Sequence, residues 1–268
     1  MFSVLGYEYP VSLYVAGYSS GCFVGMELMG TRGSPLRIHH SLFILNILAI
    51  DTSGEACSVA LLLGTELRQR IEREPRRHGE LLLAMMDGLL AETGVGLTRL
   101  DALAFGRGPG SFTGVRIATS VVQGAAYGAD LPVVPVSTLA ALAQGGLRSR
   151  GSSQVLAAFD ARMGELYWGP YRVGNGDLMR PAGAEEVAPP EEVMLPAVGS
   201  WSGVGSGWAA YGEILRRRLG TQLLAVAPDV LCEAHDVAVL AAAELADGRY
   251  VTAEQALPVY LRERVTFR

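Results

Sequence analysis

The sequence predicts an α/β protein assembled from two similar halves. Three observations carry that expectation. A glycine-rich turn, Gly106-Arg107-Gly108-Pro109-Gly110-Ser111-Phe112-Thr113-Gly114-Val115-Arg116, joins a strand-like run at 100–105 to an apolar helical run at 115–127. A buried-strand pattern that ends in aspartate and leads into a second strand occurs twice: Ile47-Leu48-Ala49-Ile50-Asp51 before 56–63, and Val155-Leu156-Ala157-Ala158-Phe159-Asp160 before 165–173. Half of the 268 residues are apolar and 18% are charged, which permits large cores and excludes disorder throughout.

The bulk numbers also exclude functions. A net charge of -5 argues against a free-standing nucleic-acid binder, which carries a basic footprint. There is no lysine; all 22 basic residues other than histidine are arginine, so neither a Walker A lysine nor a Schiff-base lysine exists. The cysteines, Cys22, Cys57 and Cys232, are odd in number and widely spaced, as in reduced cytoplasmic proteins. No run of 18 apolar residues points to a membrane span.

Residues 1–45 lack regular period, and patterning begins at Asn46; they are expected to be an extension outside the native domain, with translation starting at Leu45. His39-His40 reads as a solvated pair. From Asn46 a buried strand reaches the turn Asp51-Thr52-Ser53-Gly54, and strands at 56–63 and 66–72 complete a meander. Asp51 has two readings: an Asx-turn residue, or a carboxylate beside a hydroxyl facing nucleotide phosphates or their Mg²⁺.

The helix expected at 79–93 is apolar on more than one stripe, as is the one after the glycine turn, where Gly124, Ala125 and Ala126 are small. Helices apolar nearly all round need cover on both sides, from one large domain or from a partner. The partner reading makes His78, Leu82, Met85, Met86, Leu89, Arg116, Ala118 and Val122 candidate interface residues. The glycine turn is either a plain strand-to-helix turn or an anion-binding loop at a helix N-terminus. The second reading makes Asp51, Thr52, Ser53, Gly108, Gly110 and Ser111 candidate nucleotide contacts.

Further on, 131–136 reads as a strand and Ser137-Thr138 caps a helix over 139–143. Residues 144–153, rich in glycine, serine and arginine, read as the linker between a lobe at 46–147 and one at 148–268. Gly203-Val204-Gly205-Ser206-Gly207-Trp208 could echo a phosphate-binding turn, but the favoured reading is a flexible loop before a helix at 208–219. Arg216-Arg217-Arg218 reads as a solvated helix face, and 258–262 as a closing edge.

Residues 46–268 resemble the TsaB (YeaZ) family. The matching stretches are Ile47 to Ser53, Glu55 to Ala60, the glycine turn through Arg116, Asp160-Ala161-Arg162-Met163-Gly164-Glu165 and Pro258-Val259-Tyr260-Leu261-Arg262. The resemblance implies an actin-like (ASKHA) duplicated fold with two lobes, each a mixed sheet flanked by helices. It implies a part in forming N6-threonylcarbamoyladenosine at position 37 of tRNAs reading ANN codons. The catalytic paralogue, TsaD, holds metal through His-x-x-x-His, whereas here His78 is followed by Leu82, so a non-catalytic, cytoplasmic scaffold is implied. It would pair with TsaD through helices 79–93 and 113–127, recruit the ATPase TsaE, meet tRNA through the complex, and self-associate when alone. It would need no cofactor, with at most weak ATP or ADP binding. A stand-alone ATP-binding kinase-like enzyme of the same fold is the competing reading, and a metallopeptidase a third.

Overall fold

β1 (Asn46–Asp51) lies at the centre of the first sheet, and its sequence explains why. Ile47 and Ala49 face one core while Leu48 and Ile50 face another, so a continuous apolar run suits a strand covered on both sides. β2 (Cys57–Leu63) and β3 (Glu66–Glu72) follow antiparallel. α1 (His78–Thr93) crosses over, and β4 (Ala102–Gly106) returns parallel to β1. α2 (Phe112–Ala129) then leads to β5 (Val133–Val136), parallel to β4. The order is β5-β4-β1-β2-β3. This is a computed structural model that describes residues 44–73 and 78–262 throughout. Of the first 43 residues it describes only strand segments, such as Val11–Tyr18 and Gly21–Met29, which pair among themselves and with neither main sheet. His39, His40, Arg76 and Arg77 lie outside the described residues.

The second sheet repeats the plan. β6 (Gln154–Arg162) and β7 (Glu165–Val173) form a hairpin, and β8 (Met179–Pro181) pairs antiparallel with β7. The short β9 (Glu186–Ala188) also pairs with β7. β10 (Trp201–Val204) is parallel to β6, α4 (Ser206–Leu219) crosses over, and β11 (Leu223–Ala227) is parallel to β10. The order β8-β7-β6-β10-β11 has the same directions as the first sheet. This is a duplicated actin-like fold, and the repeat read from two aspartate-ended strands is its centre.

The layers run α1 and α2, first sheet, α5 with α3, second sheet, α4. α3 (Thr138–Arg150) lies on the second sheet and α5 (Ala234–Ala246) on the first, although α5 comes from the C-terminal half. The two middle helices are tied by Arg148, whose Nε and Nη2 donate to the fully buried Asp236 at 2.9 and 2.8 Å. A carboxylate removed from water needs such paired donors.

Two expectations are corrected. The linker at 144–153 does not exist as such: α3 continues through Arg150. Gly145 and Gly146 are there for close packing, since an added Cβ would lie 3.1 Å from Asp236 Oδ2 and 3.0 Å from Val204 Cγ1. The loop at 203–207 is not flexible either. A Cβ at Gly203 would enter the Trp208 ring at 2.2 Å, and one at Gly205 would meet the Ala158 carbonyl oxygen at 2.5 Å. In both stretches glycine signals close approach, which sequence alone does not separate from looseness. Of the three arginines on α4, Arg216 and Arg217 are solvated as expected. Arg218 instead donates to the carbonyls of Pro190 and Val193 at 2.6 and 2.9 Å.

Candidate functional site

The glycine loop occupies the gap between β4 and α2, and its shape is set by what lies beneath it. Ser111 caps α2, its Oγ accepting from Gly114 N at 3.2 Å. Ser111 N donates to Ser53 O at 2.7 Å, and Thr52 Oγ1 donates to Gly114 O at 2.6 Å. A Cβ at Gly106 would sit 2.0 Å from Asp51 Oδ1, at Gly110 2.6 Å from Ser53 O, and at Gly114 1.8 Å from Thr52 O. Gly108, at φ +101°, backs onto the Val259 carbonyl, 2.8 Å from where its Cβ would be. The loop also contains a cis Gly108–Pro109 bond, and Thr138 N and Oγ1 donate to its Gly108 and Pro109 carbonyls.

The nucleotide reading of Asp51, Thr52, Ser53, Gly108, Gly110 and Ser111 is therefore corrected. The structure does bring these six together, but as two backbone segments locked face to face rather than as an open cradle. Asp51 and Thr52 are fully buried and Ser53 nearly so. The Ser111 and Gly114 amides that would meet a phosphate are spent on Ser53 O and Ser111 Oγ.

Asp51 is the chemically unusual member. Its Oδ2 accepts from Ser53 N at 3.2 Å and Ser53 Oγ at 3.1 Å, while Oδ1 is buried without a partner. Burial raises its pKa from 3.8 to about 7; the Ser53 hydrogen bonds act in the opposite direction. Cys232, also fully enclosed, is pushed well above the usual thiol value by burial and by the Asp51 charge. Cys57 is pushed up to about 11 by burial and packs with its Sγ 3.9 Å from Met85 Sδ, as a core residue. Among the described residues no group of three metal-ligating side chains is assembled.

The interface reading also needs correction residue by residue. Leu82, Met85, Met86, Leu89, Ala118 and Val122 are buried against the first sheet in the chain's own core. Both helices carry apolar residues on more than one side, and the side these six occupy faces the sheet. Arg116 is exposed, and His78 begins α1. The outward side carries Leu83 (55% exposed), Phe112 (56%) and Tyr127 (74%), with Ile117 and Val121 half-buried. A shallow groove of about 450 Å³ runs between Gly79 on α1 and Thr113, Ile117, Ser120 and Val121 on α2.

Sequence reasoning missed two clusters. Ser137 at the end of the first sheet and Tyr171 in β7 both donate to Glu185 Oε1, joining the lobes; burial and Glu185 hold the Tyr171 hydroxyl well above its usual pKa. The other is the C-terminal segment. Val259 N donates to Arg107 O at 2.8 Å, and Arg262 Nε donates to Glu165 at 3.0 Å on the β6–β7 hairpin. The closing edge read at 258–262 is thus a strap across both lobes, belonging to neither sheet. No helix among the described residues is long and apolar enough to cross a membrane.

Comparison with known proteins agrees with this architecture. A family model described as "TsaD: tRNA N6-adenosine threonylcarbamoyltransferase" matches residues 72–265. The tRNA threonylcarbamoyladenosine biosynthesis protein TsaB of Escherichia coli (strain K12) is 43% identical over 84% of this chain and 97% of its own length. The TsaB of Haemophilus influenzae is 40% identical over 84% and 96%. The solved structure of YeaZ from Pseudomonas aeruginosa superposes with a TM-score of 0.77 and 49% identity, covering 81% of this chain and all of that one. Identity at that level, sustained over nearly the full length of each relative, means that the chain belongs to the TsaB (YeaZ) family.

Proposed function

We propose that this chain is a non-catalytic subunit in the transfer of the threonylcarbamoyl group to N6 of adenosine 37 in tRNAs reading ANN codons. It docks onto the catalytic TsaD subunit and holds it in its active form. Relatives named for threonylcarbamoyladenosine biosynthesis support the pathway, and the match to the transferase's own family model supports pairing between two related folds. The complex recruits TsaE and meets tRNA through its other members; without TsaD, the same face pairs two copies of this chain.

The observation that carries the docking face is on α2. Gly124 lies in the helix interior, where glycine costs about 1 kcal/mol relative to alanine, and Gly128 follows one turn later in the last turn of α2. A Cβ at either would meet nothing within 4 Å. Nothing among the described residues requires glycine there, whereas a closely approaching helix does. Exposed Tyr127 beside them and Leu83 on α1 supply the apolar contact.

Leu83→Arg tests the face without touching the core. The variant is expected to melt like the wild type, since an exposed substitution changes stability by about 0.5 kcal/mol or less. It is expected to lose co-purification with TsaD and to leave tRNA in a depleted strain unmodified, read by mass spectrometry of digested nucleosides. Wild-type recovery of TsaD by Leu83→Arg would reject this face.

A further inference from the structure

The outward side of α2 ends in an arrangement that packing of the chain alone does not explain. The Arg116 guanidinium carbon lies 3.5 Å from the centroid of the Phe112 ring and 5.6 Å from that of Tyr260, and the two rings are 5.7 Å apart. Arg116 Nε donates to Tyr260 Oη at 2.8 Å. Phe112 and Tyr260 are both about half exposed. No acidic side chain pairs with Arg116 among the described residues, although the chain has more acids than bases.

Tyr260 reaches this place because the strap is pinned on both sides of it. Gln123 Nε2 donates to Ala256 O at 2.9 Å, and Ala256 is buried beneath α2. Val259 N is held by Arg107 O, and Arg262 by Glu165 and the Arg162 carbonyl. Three separate sequence stretches, at 111–116, 160–165 and 258–262, thus converge to fix one guanidinium. A planar guanidinium stacked on one ring, with its Nε engaged by the hydroxyl of another, presents its remaining N–H fork in a set direction, with little freedom left to lose on binding. Arginine and tyrosine in such a position are the residue types on which interfaces concentrate their energy.

We propose that Arg116, stacked on Phe112 and hydrogen-bonded to Tyr260, is a receptor for a carboxylate side chain of the partner protein that docks along the α1–α2 groove, so that the C-terminal strap is part of the docking surface. This rests on the docking reading above. The groove next to Arg116 is lined by Ile117 and Val121, which suits a protein helix. Asp87 is exposed on α1 and the chain's net charge is -5, which disfavours a nucleic-acid backbone as the occupant. The carboxylate pairs with the guanidinium fork at the rim and sets the register of the partner, while the apolar groove supplies contact area.

The test is calorimetric binding of the purified full chain to the purified catalytic transferase subunit of the same organism at low and moderate salt. Arg116→Gln is expected to bind about tenfold more weakly and to lose most of the salt dependence. Arg116→Lys should fall between, keeping the charge without the fork. Tyr260→Leu should weaken binding severalfold while leaving the melting temperature near that of the wild type. Neutralising the acidic residues of the partner's docking surface one at a time should find one whose loss equals that of Arg116→Gln and adds nothing to it. The inference is overturned if Leu83→Arg abolishes binding while Arg116→Gln binds with wild-type affinity and salt dependence. It is equally overturned if Arg116→Gln leaves partner affinity intact and weakens only retention of tRNA by the complex, which would make the ligand a phosphate. If Leu83→Arg also binds normally, the docking face itself is wrong and this inference falls with it.

Discussion

Gly114→Ala is expected to destabilise the chain by about 3 kcal/mol, the upper range for forcing extra volume into a packed site. Its Cβ would lie 1.8 Å from the Thr52 carbonyl oxygen, a backbone atom that cannot rotate aside. The helix cannot retreat without breaking the Thr52 Oγ1–Gly114 O and Ser111 N–Ser53 O hydrogen bonds, which fasten its first turn to the Asp51 turn. The comparison is internal to α2. Gly124→Ala, ten residues along the same helix, meets nothing within 4 Å and is expected to stabilise the isolated chain by about 1 kcal/mol while weakening docking. Urea unfolding of both variants reads the difference. Equal midpoints would show that the glycine loop is not the close contact described.

The second large effect is a pH dependence centred on Asp51. A carboxyl raised from 3.8 to about 7 on folding binds its proton more tightly in the folded chain than in the unfolded one. Its contribution is complete below about pH 4 and is lost as pH rises through 7, the opposite of a salt-bridged aspartate. At about 1.4 kcal/mol per pH unit the loss is at most about 4 kcal/mol. Paired carboxylates elsewhere titrate in the other direction, so the measurement is the difference between wild type and Asp51→Asn. The asparagine keeps an oxygen for Ser53 N–H and never ionises. Its stability relative to wild type is expected to climb between pH 4 and pH 8, and parallel curves would show that Asp51 is not enclosed as described.

The duplication was legible because β1 and β6 obey the same constraint: each is buried on both faces and carries an aspartate at or within two residues of its end. The helices were legible from period, and the Ser137 cap from residue type. What failed was the meaning of glycine. At 106–114, 145–146 and 203–207 the same residue looks alike whether it makes room for phosphate, for a neighbouring strand or for nothing. Only the atom at the missing Cβ decides, and that atom belongs to a distant part of the chain. The sidedness of α1 and α2 was hidden for a related reason. Both sides of each helix carry apolar residues, so period cannot say which side meets the sheet. Tyr260 and Arg262 were invisible as site residues because their partners, Arg116 and Glu165, lie more than ninety residues away.

The placement of α5 has a consequence for biogenesis. The first sheet is complete in strands once Val136 has been made, yet the helix that shields its inner side is encoded nearly a hundred residues later. On the ribosome, Ile47, Ala49 and Ala104 stay without that cover until the chain is almost finished. Truncated or stalled products will therefore expose a greasy β-surface of the kind that chaperones capture.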